Sequence, residues 1–534
     1  MGNYKFELNI KNIFPSTLRN FPDQQIVYQN VKKFTFKEFY DRVSRIANAL
    51  IKIGVKPGDK VAVLDWDTNH YMESYFSVPM IGAILHTVNI RYPPEIIFYT
   101  MQHAEDKYVI IRDEFVPTIE KAIQLFDFIK GWIIYSDTDE NIKTILSPVY
   151  RYEESLAASD PYDFPDINED TIATIFYTSG TTGLPKGVTF SHRNLVLHAE
   201  ALAMAVHMEP LYVTDKDVFM SMVPMFHVHS WGLPYVTMIT GNKYVLSGKY
   251  DVKNILESIK NEHVTISLMV PSVLYMILNH PEFESYAKYL KGWKVVIGGA
   301  ALPKGLAKKS ELYGIETIGG YGLSETCPVL SIALFTNKIK TMKYEDKFEY
   351  KISTGIPIPF VNLKVIDSAG KDVLWNNLSL GEIVVRAPWL TTEYYKEPER
   401  TSELWRDCWL HTGDLAVIDP MGYIHILDRE KEAVKSGGEF IPTIVLENVI
   451  SECKGVGEVA VVGVPHEKWG ERPVAFLTTV SDLKEEDIFK HLEKYVEVGR
   501  IQKWWIPDKI IFMSSLPKTS TGKIDKKELR KGYK

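Results

Sequence analysis

Tyr177-Thr178-Ser179-Gly180-Thr181-Thr182-Gly183-Leu184-Pro185-Lys186-Gly187 follows directly on the apolar run Ile172-Ala173-Thr174-Ile175-Phe176. The run reads as a buried strand, and the stretch after it gathers hydroxyls, glycines and a lysine. Glycine lets backbone approach an anion and turn N–H groups toward it. The Ser and Thr hydroxyls add donors, and Lys186 adds a point charge. Together they have the chemistry of a polyphosphate cradle. The stretch is not a P-loop, because that pattern places glycine directly before the lysine and Ser or Thr directly after it. Here Pro185 precedes Lys186 and Gly187 follows. A flexible surface loop has a similar composition, but the order of the whole stretch is more specific.

Outward from this loop, short apolar runs alternate with longer periodic segments. Residues 61–64, 109–111, 132–135, 264–266 and 295–297 read as buried strands. Phe36, Phe39, Val43, Ile46, Leu50 and Ile53 mark one apolar face of a helix that stops near Gly54. This alternation predicts a layered α/β architecture with parallel strands. After about residue 350 the strands shorten and turns such as Asp367-Ser368-Ala369-Gly370 separate them, which predicts a β-rich subdomain. The charged segment Asp428-Arg429-Glu430-Lys431-Glu432 reads as a linker. Beyond it, strand 459–464, helix 485–498 and strand 509–513 predict a small α+β C-terminal domain. The expected domains are therefore 1–427, a linker at 428–433, and 434–534.

Composition narrows the function. Lys+Arg 61 against Asp+Glu 68 gives a net charge of −7, which argues against nucleic-acid binding through general electrostatics. The 3 cysteines, Cys327, Cys408 and Cys453, show neither metal-ligand spacing nor a disulfide framework. The N-terminal segment has no apolar run after a basic region, and Phe6 stands where a myristoylation signal needs Ser or Thr. The most apolar stretch, 219–241, contains Pro224, His227, His229 and Pro234, which argue against stable membrane insertion. A cytoplasmic enzyme is the expectation.

Further motifs occur in a fixed order. They are Gly320-Tyr321-Gly322-Leu323-Ser324-Glu325-Thr326, His411-Thr412-Gly413-Asp414, Asp428-Arg429 with Lys435-Ser436-Gly437-Gly438-Glu439, and Pro517-Lys518-Thr519-Ser520-Thr521-Gly522-Lys523. With the loop at 177–187 they resemble the adenylate-forming superfamily of acyl-CoA synthetases, luciferases and peptide-synthetase adenylation domains. The resemblance covers nearly the whole chain and is greatest to medium- and long-chain fatty-acyl-CoA synthetases. It implies a large N-terminal domain and a small mobile C-terminal one. The implied reaction adenylates a small-molecule carboxylic acid with ATP and Mg2+ and passes the acyl group to coenzyme A.

The resemblance also implies roles. Thr178, Ser179, Gly180, Thr181, Thr182, Gly183 and Lys186 would bind the phosphates, and Thr181 and Glu325 would hold the magnesium. Gly299, Ala300, Gly320, Tyr321, Gly322 and Ser324 would line the nucleotide, with Tyr321 stacked on adenine. Asp414 would accept from both ribose hydroxyls, and Arg429 and Lys435 would assist. Lys523 would bridge the carboxylate and the α-phosphate, offsetting the charge of two approaching anions. His227 would sit at the acyl-adenylate and Trp231 would gate the acyl tunnel. Lys431 would be the pivot about which the C-terminal domain turns after adenylation, exchanging Lys523 for the loop Ser436, Gly437, Gly438 and Glu439.

Each residue also has a plainer reading: a solvated lysine, a capping or turn carboxylate, a core aromatic, or glycines kept for packing. His227 and His229 at i, i+2 invite a metal reading that no further ligand cluster supports. The chain departs from the family pattern at Glu432 and Val434 in the linker, and at Glu393, where a glycine usually precedes the tyrosine.

Substrate choice rests on two residues. Acetyl-CoA synthetases carry tryptophan at the position of Gly322, so a glycine there implies an acid longer than acetate or propionate. Trp231 and its surroundings resemble enzymes for medium- to long-chain acids. A short hydroxy acid such as 4-hydroxybutyrate also fits, and another acyl acceptor is the remaining alternative. Resemblance to fatty-acyl relatives implies a homodimer.

Overall fold

The computed structural model describes residues 5–29, 32–138, 142–178, 184–437, 439–520 and 522–533. They form two compact units. The first comprises Met1–Leu268, Gly322–Val329 and Ala387–Ser402, and the second Met269–Tyr321, Leu330–Arg386 and Glu403–Lys534.

The first unit is layered α/β, as the alternating runs predict. Its seven-stranded sheet runs in the order Val149–Arg151, Gly131–Tyr135, Asp106–Arg112, Lys60–Leu64, Ile84–Thr87, Ile172–Thr178 and Lys186–Ser191. All neighbours are parallel except the last two, which pair antiparallel with Thr178 opposite Lys186. Thr178 and Lys186, on either side of the Ser/Thr/Gly stretch, are thus fixed by the sheet. Helix Phe36–Lys52 packs the face that the periodicity marks, and a Thr35/Glu38 capping box starts it. A second group of strands, Ile266–Met269, Val218–Ser221, Lys243–Leu246 and Gln25–Tyr28, is parallel where these residues pair. The expected strand at 264–266 begins only at Ile266. Thr265 instead bonds Val218 with both its backbone N–H and its hydroxyl.

The second unit holds the β-rich and C-terminal parts. Lys294–Ile297 and Glu316–Gly322 pair parallel. Asn362–Ile366, Gly381–Arg386, Trp409–Ile418 and Ile424–Arg429 form an antiparallel meander. The last hundred residues build a mixed sheet on Val456–His466 and Gly470–Thr479, with helices Thr443–Ser451 and Glu485–Glu497. Val434, Leu446, Val461, Leu477, Ile488 and Leu492 make its core. The expected linker is partly strand: Asp428 and Arg429 complete Ile424–Arg429, and only the following residues turn.

No helix among the described residues is long and apolar enough to cross a membrane. The apolar stretch 219–241 instead holds a strand, a left-handed turn and the helix Leu233–Thr240.

Candidate active site

Ser179, Gly180, Thr181, Thr182 and Gly183 lie outside the described residues. Thr178 and Lys186 face each other across the hairpin. The segment 387–402 closes over this hairpin. The Tyr395 N–H donates to the Gly187 carbonyl (2.9 Å), and the Thr391 hydroxyl donates to the Thr189 carbonyl (3.1 Å). The same segment reaches the turn at 322–329, where the Thr391 N–H donates to the Glu325 carbonyl (3.0 Å).

Between them stands Tyr394, which is buried. Its hydroxyl donates to Glu325 Oε1 (2.6 Å), and the Lys186 ammonium lies 4.2 Å from the centre of its ring. Burial first, and then the Glu325 charge, push the Tyr394 phenol far above its ordinary pKa, so it stays a donor. The sequence reading brought Lys186 and Glu325 to the site but gave Tyr394 no role. Ser324 and Glu325 share a short turn closed by the Thr326 hydroxyl.

Gly322 has a local reason to be glycine. A Cβ there would lie 1.8 Å from the Pro328 carbonyl oxygen. The missing side chain lets the turn fold back on itself, so it does not by itself mark open space for an acyl chain. Gly322→Ala is expected to destabilise the protein by about 1–3 kcal/mol, as overpacking does, read as a lower denaturant midpoint. Unchanged stability with an altered acid preference would return Gly322 to the acyl pocket.

His227 precedes a left-handed turn that Trp231 ends. Val228, His229, Ser230 and Trp231 have φ of 46°, 55°, 51° and 55°, which costs about 1–2 kcal/mol per residue. Buried contacts hold the turn in place. Ser230 Oγ lies 2.6 Å from Ser221 Oγ and 2.8 Å from the Val223 carbonyl oxygen, and His229 Nε2 lies 2.8 Å from Thr174 Oγ1. The preceding loop is tied down by Asp67, which accepts from the Met225 N–H (2.7 Å), and by Thr87, which donates to the Phe226 carbonyl (3.2 Å). Burial raises the Asp67 carboxyl to about 7 against the pull of the Met225 and Ser247 donors. His227 is part-exposed and Trp231 is buried. His229 is buried and its pKa is pushed down to about 3 by burial, so it is a neutral core histidine. No metal-binding group of three or more His, Cys, Asp or Glu occurs among the described residues.

The second unit gathers a different set around Asp414, which lies opposite Arg429 in the meander. Asp414 Oδ2 accepts from the Tyr321 hydroxyl (2.6 Å), and Oδ1 accepts from Arg429 Nε (3.0 Å). Its backbone N–H donates to Thr412 Oγ1 (3.1 Å). Burial raises the Asp414 carboxyl, while Arg429, Tyr321 and then Lys523 lower it. The charge of Lys523 is therefore felt at Asp414. The expected role for Tyr321 was stacking on adenine, and the structure adds a hydroxyl bond to the carboxylate.

The Lys523 loop is itself held. The Thr519 N–H donates to the Lys523 carbonyl (2.7 Å), and the Ser272 hydroxyl donates to the Gly522 carbonyl (2.6 Å). Gly299 and Ala300 are exposed directly after the parallel strand Lys294–Ile297, the end of a strand where ligands bind in open α/β sheets. Gly320 lies part-buried in the neighbouring strand.

Lys431 is exposed in the turn after Arg429. Ser436 and Glu439 pair across a tight hairpin; Gly437 has φ of 63° and donates its N–H to the Trp469 carbonyl (2.8 Å), and Gly438 lies outside the described residues. Lys435 is exposed, its ammonium 5.3 Å from the Phe440 ring centre. Of the basic residues near the C-terminus, Lys526 is engaged with Glu447 (2.7 Å) and Lys518 with Glu458 (3.0 Å). Neither is an idle surface charge.

A family model described as "AMP-binding enzyme" matches residues 14–395, and one described as "AMP-binding enzyme C-terminal domain" matches residues 445–523. The chain is 36% identical to a long-chain-fatty-acid–CoA ligase of Thermus thermophilus, over 99% of this chain and 96% of that protein. It is 33% identical to a 4-hydroxybutyrate–CoA ligase of Metallosphaera sedula, over 96% and 92%. In fold it is similar to an anthranilate CoA ligase solved in complex with anthranoyl-AMP, with a TM-score of 0.85 and 22% identity, covering 100% of this chain and 98% of that one. The chain belongs to the family of AMP-binding enzymes.

Proposed function

We propose that this chain, an AMP-forming carboxylate–CoA ligase, activates a medium- or long-chain fatty acid as its acyl-adenylate and transfers the acyl group to coenzyme A. The observation that carries the acid assignment is buried Trp231 in its strained turn beside part-exposed His227. Strain of this kind persists only where surrounding structure over-determines it, and it clusters at ligand sites. The likeness to a long-chain ligase supports this reading. The likeness to a 4-hydroxybutyrate ligase supports a second one, a short hydroxy acid.

In this proposal Lys186, with the hydroxyls and glycines of its loop, binds the phosphates. Asp414 and Arg429 hold the ribose, and Lys523 offsets the charge of the carboxylate and α-phosphate. Glu325 and Thr181 would hold Mg2+, which neutralises phosphate charge when bound. A single carboxylate completed by phosphates and waters suits that ion better than an all-protein cage. Domains 1–427 and 434–534, turning about Lys431 in the linker 428–433, belong to the same proposal, with Ser436, Gly437, Gly438 and Glu439 serving the thioester stage. So do a cytoplasmic setting and a homodimer, both from the sequence reading alone.

An acid panel from short to long chains, hydroxy acids included and scored by thioester formation, tests the assignment. Maximal kcat/KM at medium or long chains is expected, and a maximum at 4-hydroxybutyrate would favour the second reading. Trp231→Ala is expected to shift this profile. Each methylene that gains or loses its seat changes kcat/KM by about fourfold, from about 0.8 kcal/mol per buried CH2. An unchanged profile would remove Trp231 from the acyl site.

A further inference from the structure

Lys186 and Glu325 are far apart in sequence, yet one side chain touches both. Tyr394 places its ring 4.2 Å from the Lys186 ammonium and its hydroxyl 2.6 Å from Glu325 Oε1. Its own position is over-determined. Its N–H donates to Thr401 Oγ1 (3.0 Å), its backbone bridges to Val188, and the Thr391 and Tyr395 contacts pin the flanking chain. A glutamate has three rotatable bonds, and a short hydrogen bond to a fixed phenol removes most of that freedom. The donor is neutral, so the carboxylate keeps its charge and its other oxygen for a further partner. A lysine or arginine in the same place would cancel that charge. An aromatic face likewise holds an ammonium by its quadrupole without neutralising it.

We propose that Tyr394 is a positioning residue for the phosphate end of ATP, its ring seating Lys186 and its hydroxyl aiming Glu325 at a phosphate-bound divalent cation. The inference rests on the reading of Lys186 and Glu325 given above. It assigns the two halves of one side chain to separate tasks, and these can be separated by mutation.

The test is equilibrium ATP binding by calorimetry, in EDTA and in excess Mg2+, for the full chain and four variants. Tyr394→Phe keeps the ring and loses the hydroxyl. Its affinity in EDTA is expected to match the wild type, while the gain on adding Mg2+ shrinks by roughly fivefold to tenfold, the scale of a lost hydrogen bond to a charged group. Tyr394→Leu loses both parts and is expected to weaken binding in EDTA as well. Glu325→Gln should abolish the Mg2+ gain, and Lys186→Ala should weaken binding in EDTA. If Glu325→Gln loses the gain while Tyr394→Phe keeps it in full, Tyr394 does not position the carboxylate and the proposal falls. If Glu325→Gln and Lys186→Ala both bind as the wild type does, the site reading itself fails, and this inference with it. Tyr394→Phe changes only one buried oxygen, so the outcome does not depend on whether Tyr394→Leu folds.

Discussion

Lys523→Ala is expected to slow adenylation by a factor on the order of 10²–10³, the scale of removing one preorganised donor from a developing charge. Thioester formation from a supplied acyl-adenylate should be nearly unaffected. The asymmetry follows from where the residue sits. Lys523 ends a tight turn whose carbonyls are held by Thr519 and Ser272, and its charge is one of the influences that lower the buried Asp414 carboxyl. A cation in a turn held by the Thr519 N–H and the Ser272 hydroxyl, whose charge reaches the proposed ribose carboxylate, suits the nucleotide step, and the proposed thioester stage moves it away. Pyrophosphate exchange measures the first half-reaction, and acyl transfer from synthetic adenylate measures the second. Equal losses in both would assign Lys523 a structural role.

The second large effect is expected at Asp414. Asp414→Asn removes the charge while keeping the shape, and it should raise the KM for ATP by about 10- to 100-fold, as losing hydrogen bonds to a charged group predicts. Asp414 is buried and already pairs with Tyr321 and Arg429, so part of the effect is positional. A ribose-specific readout separates the two contributions. The wild type should prefer ATP to 2′-deoxy-ATP, and Asp414→Asn should lose that preference. A variant that binds both poorly but still discriminates would place the ribose hydroxyls elsewhere.

Much of the fold was legible because its strands are short apolar runs and its first helix carries a clean apolar stripe with a capping box. The strand Ile172–Thr178 followed from an apolar run before a Gly-rich stretch, whereas its antiparallel pairing with Lys186–Ser191 did not. The Ile266 strand boundary was not legible, since Thr265 looks like any β-branched residue until its hydroxyl is seen bonding Val218. The left-handed turn 228–231 was hidden for a stronger reason: two of its residues, Val228 and Trp231, are β-branched or bulky types that avoid positive φ. Tertiary contacts of Ser230 and His229 hold that conformation. Gly322 shows how one residue type carries two readings. Its small size was read as room for substrate, and the nearby Pro328 carbonyl oxygen supplies a second reason for a glycine there. Tyr394 was given no role because its partners are distant in sequence. The one local clue was a tyrosine in a segment otherwise rich in polar and charged residues.

The candidate site was legible as a set of residue types, because phosphate, ribose and metal chemistry demand hydroxyls, carboxylates and lysines in motifs of fixed order. Positioning was less visible. The partners that orient Asp414 and Glu325 are tyrosines, and a tyrosine in a sequence reads first as core.

The most direct test of acid activation followed by transfer to coenzyme A is pyrophosphate release with a preferred fatty acid, measured with and without coenzyme A. Without coenzyme A, a burst of pyrophosphate limited to the enzyme present is expected, because the acyl-adenylate stays bound. Adding coenzyme A should restore turnover, with acyl-CoA and pyrophosphate formed in equal amounts. Pyrophosphate released without any thioester, whichever acid is offered, would contradict the account.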